Sequence, residues 1–391
     1  MTNSQDQDSL RILMLAEDFY PKTSGGAFTD WNFAKLSTER GHQVTVYTPR
    51  TSGTPERESV HNVEINRPYR ATPTENHPNS VYGVFRRLLF ILLLTVRLAY
   101  EIRTTNYDVI YSTNHLLHPT AKLIGLLYSL PVVNFVGYSP SERTELHPLD
   151  FRNLFEFVIF FLFMGGFVLC RTPRVRDRIE KWSRSSVEII HGIIEQDALA
   201  EAAESDVEPV RREHGVDSKE SLIVSVCRFV PVKRPEESVR VLSELPDSYR
   251  LVVLGDGEYR SVVESAVLKF DVEERVDLLG RRPHGETLRT ISAADALLVT
   301  SSVEAYPTVV FEALSLNTPV VSTPVGILPE IEHPKLKLTD LSSMPQTVLD
   351  IAESSHNGLD EETVYRFSIE QFIDTVLDTM EYATRSNTQT Q

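Results

Sequence analysis

The sequence predicts an α/β protein built of two doubly wound, Rossmann-like domains, and three observations predict it. Short apolar runs alternate with amphipathic helix patterns along most of the chain, the signature of parallel sheets with crossover helices. The alternation lapses once, in the polar stretch 195–219, and then restarts. The 391 residues suit two domains, at roughly 100–200 residues for each.

The first half opens with RILMLAEDFYP at 11–21, a buried strand ending in polar residues and a proline. Ser24-Gly25-Gly26 and an apolar-periodic helix from Phe28 to Thr38 follow. Gly41 then stops the helix before the strand VTVYTP at 44–49, completing one βαβ unit. Residues 51–80, rich in Pro, Thr, Asn and Ser, read as a long loop around a short strand, VEINRPY. A helix over 84–103 leads to strands at 107–113 (YDVIYST), 130–138 (LPVVNFVGY) and 187–192 (VEIIHG).

In the second half, strands at 221–229, 249–257, 294–301 and 319–324, together with RVDLLG, alternate with helices that include 235–245 and 308–316. A closing helix spans Ile369 to Tyr382. The expected organisation is a polar tail (1–9), a first domain (10–194), a connection (195–219) and a second domain (220–366). A last helix (367–384) and a polar tail (385–391) complete it. Open α/β sheets bind ligands at the carboxyl ends of their strands, so one cleft lined by both domains is expected.

Composition narrows the function. A net charge of −16 opposes nucleic-acid binding, which needs a basic footprint; it fits a high-salt cytoplasm and ordinary drift equally. Cys170 and Cys227 have no partner at disulfide or metal-ligand spacing. The stretch Met1 to Ser9 lacks a basic-then-apolar leader pattern, so a cytoplasmic location is expected. Two apolar stretches raise a membrane question, Leu88–Tyr100 and Phe151–Cys170. The first is short for a span and carries Arg97; the second carries Arg152 and Glu156. Peripheral contact with the cytoplasmic face of the membrane through 86–103 and 151–170 is therefore expected. Arg86, Arg87, Arg97 and Arg103 would face anionic lipid.

Two features carry chemistry. Glu304 lies just past the strand at 294–301, and Glu312 lies eight residues on, in the first turns of the next helix. Between them the amides of Thr308 to Val310 open that helix, where unpaired N–H groups and partial positive charge suit a phosphate. Carboxylates at such a place accept hydrogen bonds from sugar or ribose hydroxyls. Arg228 and Lys233 follow the strand at 221–229, and two cations there would hold a diphosphate and neutralise the charge that builds as it leaves. A bare Glu-x7-Glu or a basic turn is common, and only their combination is informative.

Arg228-x4-Lys233, then GDGE at 255–258, LLGRRPHGETL at 278–288, Glu-x7-Glu and PVVSTPVG resemble, in order and spacing, the retaining glycosyltransferase family 4 (group 1) of the GT-B fold. The opening FYPKTSGGAFTDWNFAKLSTERGHQVTVYTP, HGIIEQDAL at 191–199 and the closing YRFSIEQFIDTVLDTMEY agree, so the likeness spans nearly the whole chain. It implies a last helix that crosses back to the first domain. It also implies transfer of a hexose-type sugar from a nucleotide sugar to a glycan or polyprenyl-lipid-linked acceptor in glycan, polysaccharide, glycolipid or protein glycosylation. Arg228 and Lys233 match the pair on the donor diphosphate. Glu304 matches the acid on the transferred sugar, and Glu312 the acid on the ribose. Tyr306, Thr308 and Val309 match the loop whose backbone meets phosphate and sugar, and Gly25 and Gly26 match the loop approaching the donor from the other domain.

The chain departs from the family pattern in places. Ala305 stands where the acidic motif has Gly, while Cys227 and Arg234 stand where the basic motif has Gly. Gly137, followed by Tyr138, aligns where many members carry a His near the reacting carbon. His115 and His118 lie past the preceding strand, where a structural role is the expectation. There is no evident nucleophile and no Asp-x-Asp motif in a suitable place, so neither a metal nor another cofactor is expected. A GT-B nucleotide-sugar epimerase or a non-catalytic nucleotide-sugar-binding protein is the alternative reading. A phosphorylase lacks a context for a pyridoxal-phosphate lysine.

Overall fold

Chain segments rich in Val, Ile and Leu become the inner strands of two sheets. In the computed structural model, residues 9–22, 25–69, 81–137, 151–191, 194–217, 219–351, 359–366 and 368–390 are described. The elements run β1 (Arg11–Leu15), α1 (Gly25–Glu39), β2 (Gln43–Tyr47), β3 (Arg57–Val60), β4 (Val63–Asn66), α2 (Val81–Glu101) and β5 (Val109–Ser112). They continue with α3 (His118–Tyr128), β6 (Val132–Val136), α4 (Phe151–Leu162), β7 (Phe167–Cys170), α5 (Pro173–Trp182) and β8 (Ser186–Ile189). Next come α6 (Gln196–Glu204), α7 (Glu208–Glu213), β9 (Ser221–Val226), α8 (Pro235–Ser243), β10 (Tyr249–Leu254), α9 (Arg260–Lys269) and β11 (Val276–Gly280). The last are α10 (His284–Ala293), β12 (Ala296–Val299), α11 (Thr308–Ser315), β13 (Val320–Ser322), β14 (Leu336–Leu338), α12 (Met344–Ile351), α13 (Glu361–Arg366) and α14 (Ile369–Thr390).

The first sheet has the order β3-β4-β2-β1-β5-β6-β7-β8 and the second β11-β10-β9-β12-β13-β14. Every pairing is parallel except β3 with β4. Burial on both faces explains the continuous apolar runs: β5, β6, β12 and β13 are buried at every position. In each sheet the strand order reverses once, between β1 and β5 and between β9 and β12. The loops after those strands therefore border a switch-point crevice.

The chain divides into one unit of Met1–Ile190 with Phe372–Gln391 and a second of His191–Gln371. The stretch 195–219, expected as a connection, instead holds α6 and α7 of the second unit. Its scattered apolar residues suffice: Leu199 and Ala202 are buried in the same core as Leu288 and Ile291 of α10. Arg211 is anchored on the Ala293 carbonyl and the Asp295 carboxylate, both at 3.0 Å.

Three other expectations change. Within the loop expected at 51–80, Arg57–Val60 forms β3, an edge strand whose alternating half-exposed pattern carries little apolar signal. The apolar stretch 151–170 is one helix and one strand, not a continuous segment. It turns at Gly165, where a Cβ would stand 2.2 Å from the Val132 carbonyl oxygen, so only glycine lets the turn pack there. The polar end, expected as a tail from 385, continues α14 to Thr390. Arg385 pairs with Glu381 one turn back, and the Asn387 amide donates to the Ser129 carbonyl at 2.7 Å. Tyr138 and residues 1–8 of the N-terminal tail lie outside the described residues.

Candidate active site

The second switch point is built by cross-bonding two loops. After β9 the chain makes a short 3-10 turn, Pro231–Lys233, and Arg234 then takes a left-handed conformation with φ of 47°. That backbone region favours glycine, the residue usual here in family 4. Arg234 is held in it by its own side chain: Nε donates to the Thr300 carbonyl and Nη2 to the Ser301 carbonyl, each at 2.8 Å. The Thr300 hydroxyl returns a bond to the Arg234 carbonyl at 2.8 Å, and the Ser302 amide donates to Val232 at 2.8 Å. The loops after β9 and β12 are thus one stapled unit.

Stapling brings Lys233 and Glu304 together. The Lys233 ammonium ion-pairs with Glu304 Oε1, which also accepts from the Ser301 hydroxyl at 2.7 Å. Glycine supports this arrangement from behind. Gly326, at φ 58°, lies so close that a Cβ would stand 2.4 Å from the Ala305 carbonyl oxygen. Ala305 itself is absent from the described residues with positive φ, so alanine fits where the family has glycine. Gly255, at φ 138°, meets the Cys227 carbonyl, and a Cβ there would stand 1.8 Å away. Burial pushes the Cys227 thiol up to about 12, which leaves it unreactive.

Seven of the nine sequence-predicted residues line one cavity of about 470 Å³: Arg228, Lys233, Glu304, Tyr306, Thr308, Val309 and Glu312. Arg228 is exposed, and its side chain has no hydrogen-bond or ion-pair partner among the described residues. Thr308 and Val309 are the first two residues of α11, so their amides have no carbonyl within the helix to bond. The Tyr306 ring stacks on Phe311, with centroids 4.4 Å apart. Gly25 and Gly26 belong to the first unit, where they open α1. A Cβ at either would meet nothing within 4 Å, so packing within the fold does not demand glycine there.

The same cavity holds residues that the sequence reading did not single out: Asp256, Arg281, Arg282 and His284. The side chains of Arg281 and Arg282 have no hydrogen-bond or ion-pair partner among the described residues. His284 opens α10, with Nε2 3.0 Å from Glu312 Oε1 and Nδ1 3.2 Å from Glu195 Oε2. The hydrogen bond to Glu312, then the charge of that carboxylate and the Glu195 contact, raise its pKa above the ordinary histidine value. A histidine opening a helix after Gly-Arg-Arg-Pro was the only signal, and nothing in the spacing joins it to Glu312.

In the first unit, His118 is fully buried. Its Nδ1 accepts from the Asn134 amide at 2.9 Å and lies 2.9 Å from the Ser112 hydroxyl. Burial pushes its pKa well down, so the ring is neutral. His115 lies beside it, with ring centroids 5.5 Å apart, and Gly137 abuts the Phe135 ring. Among the described residues no group of three or more His, Cys, Asp or Glu is placed to hold a metal ion. No helix among them is long and apolar enough to cross a membrane.

Two largely parallel sheets, each with one switch point, and a polar cavity at the second define the GT-B glycosyltransferase fold. An Anabaena protein, HepE, solved in complex with UDP, superposes with a TM-score of 0.70 at 16% identity, over 95% of this chain and all of that one (100%). The chain belongs to the group 1, family 4 glycosyltransferases: the family model described as Glycosyltransferase Family 4 matches residues 25–198, and that described as Glycosyl transferases group 1 matches 206–340. Among curated relatives, N-acetyl-alpha-D-glucosaminyl L-malate synthase of Bacillus anthracis is 21% identical over 322 residues, 80% of this chain and 79% of its own length. The phosphatidylinositol N-acetylglucosaminyltransferase GPI3 subunit of Saccharomyces cerevisiae is 23% identical over 352 residues, 82% and 69% of the two chains. The protein is thus a sugar transferase by family.

Proposed function

We propose that this transferase moves a hexose-type sugar from a nucleotide sugar to a glycan or lipid-linked acceptor, with retention of configuration at the anomeric carbon. The observation that carries this reading is the convergence of Arg228, Lys233, Glu304, Glu312 and the α11 N-terminus on one cavity. In the proposed mode the α11 amides and the two cations take the diphosphate, Glu312 accepts from the ribose hydroxyls, and Glu304 orients the sugar. The bond from the anomeric carbon to the diphosphate oxygen breaks with both electrons going to the diphosphate. Arg228 and Lys233 stabilise that charge. The acceptor oxygen bonds the same face of the carbon, and its proton passes to the departing phosphate. The mode draws on no metal. UDP in the HepE complex and N-acetylglucosamine in the names of two relatives make UDP-sugars the first donors to try.

A lipid-linked acceptor at the cytoplasmic membrane face is part of the proposal. It is supported by exposed apolar side chains in the first unit: Leu88, Leu92 and Val96 on α2, each at least 60% exposed, with Phe161 and Leu162 on α4. The phosphatidylinositol in the name of the yeast relative points the same way. Arg97, expected to face lipid, is instead paired with Glu101; the side chains of Arg86 and Arg87 lie outside the described residues. Incubation with UDP-, GDP- and ADP-sugars tests the transferase reading. Nucleotide release by the wild type, abolished in Glu304→Ala, is the expected result, and no binding of any nucleotide overturns it. Flotation with anionic liposomes tests the membrane contact, and equal recovery with and without lipid counts against it.

A further inference from the structure

The imidazole of His284 stands between two carboxylates from two other elements. Glu312 projects from α11 and Glu195 immediately precedes α6, and the ring reaches each with a different nitrogen, at 3.0 and 3.2 Å. An ionised carboxylate only accepts hydrogen bonds, so both ring nitrogens must donate, and only the imidazolium carries two N–H groups. The side chain of Glu312 is 13% exposed, so its direction is set by what it touches. With Oε1 held by the ring, the lone pairs of Oε2 remain for ligand hydroxyls on the cavity side.

We infer that His284 is a positioning residue for the donor. As an imidazolium it ties Glu312 to Glu195 and fixes the Glu312 carboxylate in the orientation that the nucleotide ribose meets. This rests on the reading of Glu312 as the ribose acid. Its consequence is a donor affinity that depends on the charge of one side chain outside the reacting centre. The charged groups facing the ring are Glu312 from α11 and Glu195 from the segment before α6; Arg281 and Arg282 share the cavity from the loop before α10. The two carboxylates favour the protonated ring, so the tie is present at low pH and is lost as pH rises through the raised pKa of His284. The Michaelis constant for donor then rises with pH while kcat stays level, because the interaction is the same in the bound donor and the transition state.

The experiment uses the full chain and the donor found in the nucleotide-sugar screen, with KM and kcat measured from pH 6 to 9. Binding of the matching nucleoside diphosphate is measured by calorimetry in parallel. His284→Ala is expected to raise KM and weaken diphosphate binding by about three- to tenfold at pH 6.5, as loss of one charge-assisted contact would, with kcat little changed. His284→Arg keeps charge and two donors at every pH, so it is expected to keep low-pH affinity and to abolish the pH dependence. A KM for His284→Ala equal to or below that of the wild type overturns the inference, since the ring would then be idle or obstructive. A wild-type KM flat across the range, or one that still rises in His284→Arg, overturns it too. Absence of nucleotide binding by the wild type overturns the donor reading itself.

Discussion

At the first switch point polar side chains face one another; at the second they face a cavity. Asp30 on α1 is buried and accepts from the Thr113 hydroxyl, just past β5, at 2.6 Å, while Ser112, His118 and Asn134 bond among themselves beneath. Past β9 and β12, Lys233 and Glu304 pair at the wall of a cavity, and the side chains of Arg228, Arg281 and Arg282 around it have no hydrogen-bond or ion-pair partner among the described residues. The sheets reverse order in the same way, so topology alone does not create the difference. Side-chain length and local turn do. Short side chains from strands and the adjoining helices close on each other as buried hydrogen bonds, which fix shape. The long cations Arg228, Arg281 and Arg282, carried on loops, stay in reach of solvent and of an anion.

Three substitutions would break that contrast or sharpen it. The largest expected effect is at the second switch point: Lys233→Ala leaves Glu304 with the Ser301 hydroxyl alone and removes charge from the diphosphate place. Turnover of the donor is expected to fall by about 10²- to 10³-fold, with melting temperature little altered. Loss of turnover together with loss of fold would make the pair structural rather than catalytic. Next is Gly255→Ala, which sets a Cβ against the Cys227 carbonyl at a φ of 138°. Destabilisation by about 2–3 kcal/mol is expected from strain and overpacking, read as a lower denaturant midpoint. An unchanged midpoint would show that the loop after β10 has room to shift.

The mildest substitution is at the first switch point, and its effect appears only with pH. Burial raises the Asp30 carboxyl to about 8, against an ordinary value near 4 in the unfolded chain. The native state therefore binds the extra proton between those values. The contribution to stability is fully present below the unfolded pKa and is lost as pH rises through about 8. Asp30→Asn keeps an acceptor for Thr113 without a titrating group. Its melting temperature should gain progressively on the wild type between pH 5 and 8, with the gap constant above. A gap that does not change with pH would mean that Asp30 is ionised throughout.

Much of the candidate site was legible because its residues sit at fixed offsets from strand ends. Arg228 and Lys233 follow β9, Glu304 follows β12, and Glu312 lies one helical turn into α11. Strand ends are marked by apolar runs, so order along the chain translates into position above the sheet. His284 was not legible, for its role comes from meeting Glu312 and Glu195 across two elements, and no spacing encodes that meeting. The helices α6 and α7 were missed for a related reason: few apolar residues are needed where a helix covers the flank of a sheet already packed by α10.

By itself the sequence determined two doubly wound sheets and the elements on which the acids and cations ride, since these follow from periodicity and local offsets, while the family came from the resemblance of its motifs. Tertiary structure alone decided which of those groups pair, that Arg234 holds a glycine-like turn through its own guanidinium, and that 195–213 packs into the second unit. Such pairings depend on the distance between residues far apart in the chain, which packing fixes and a linear pattern does not carry.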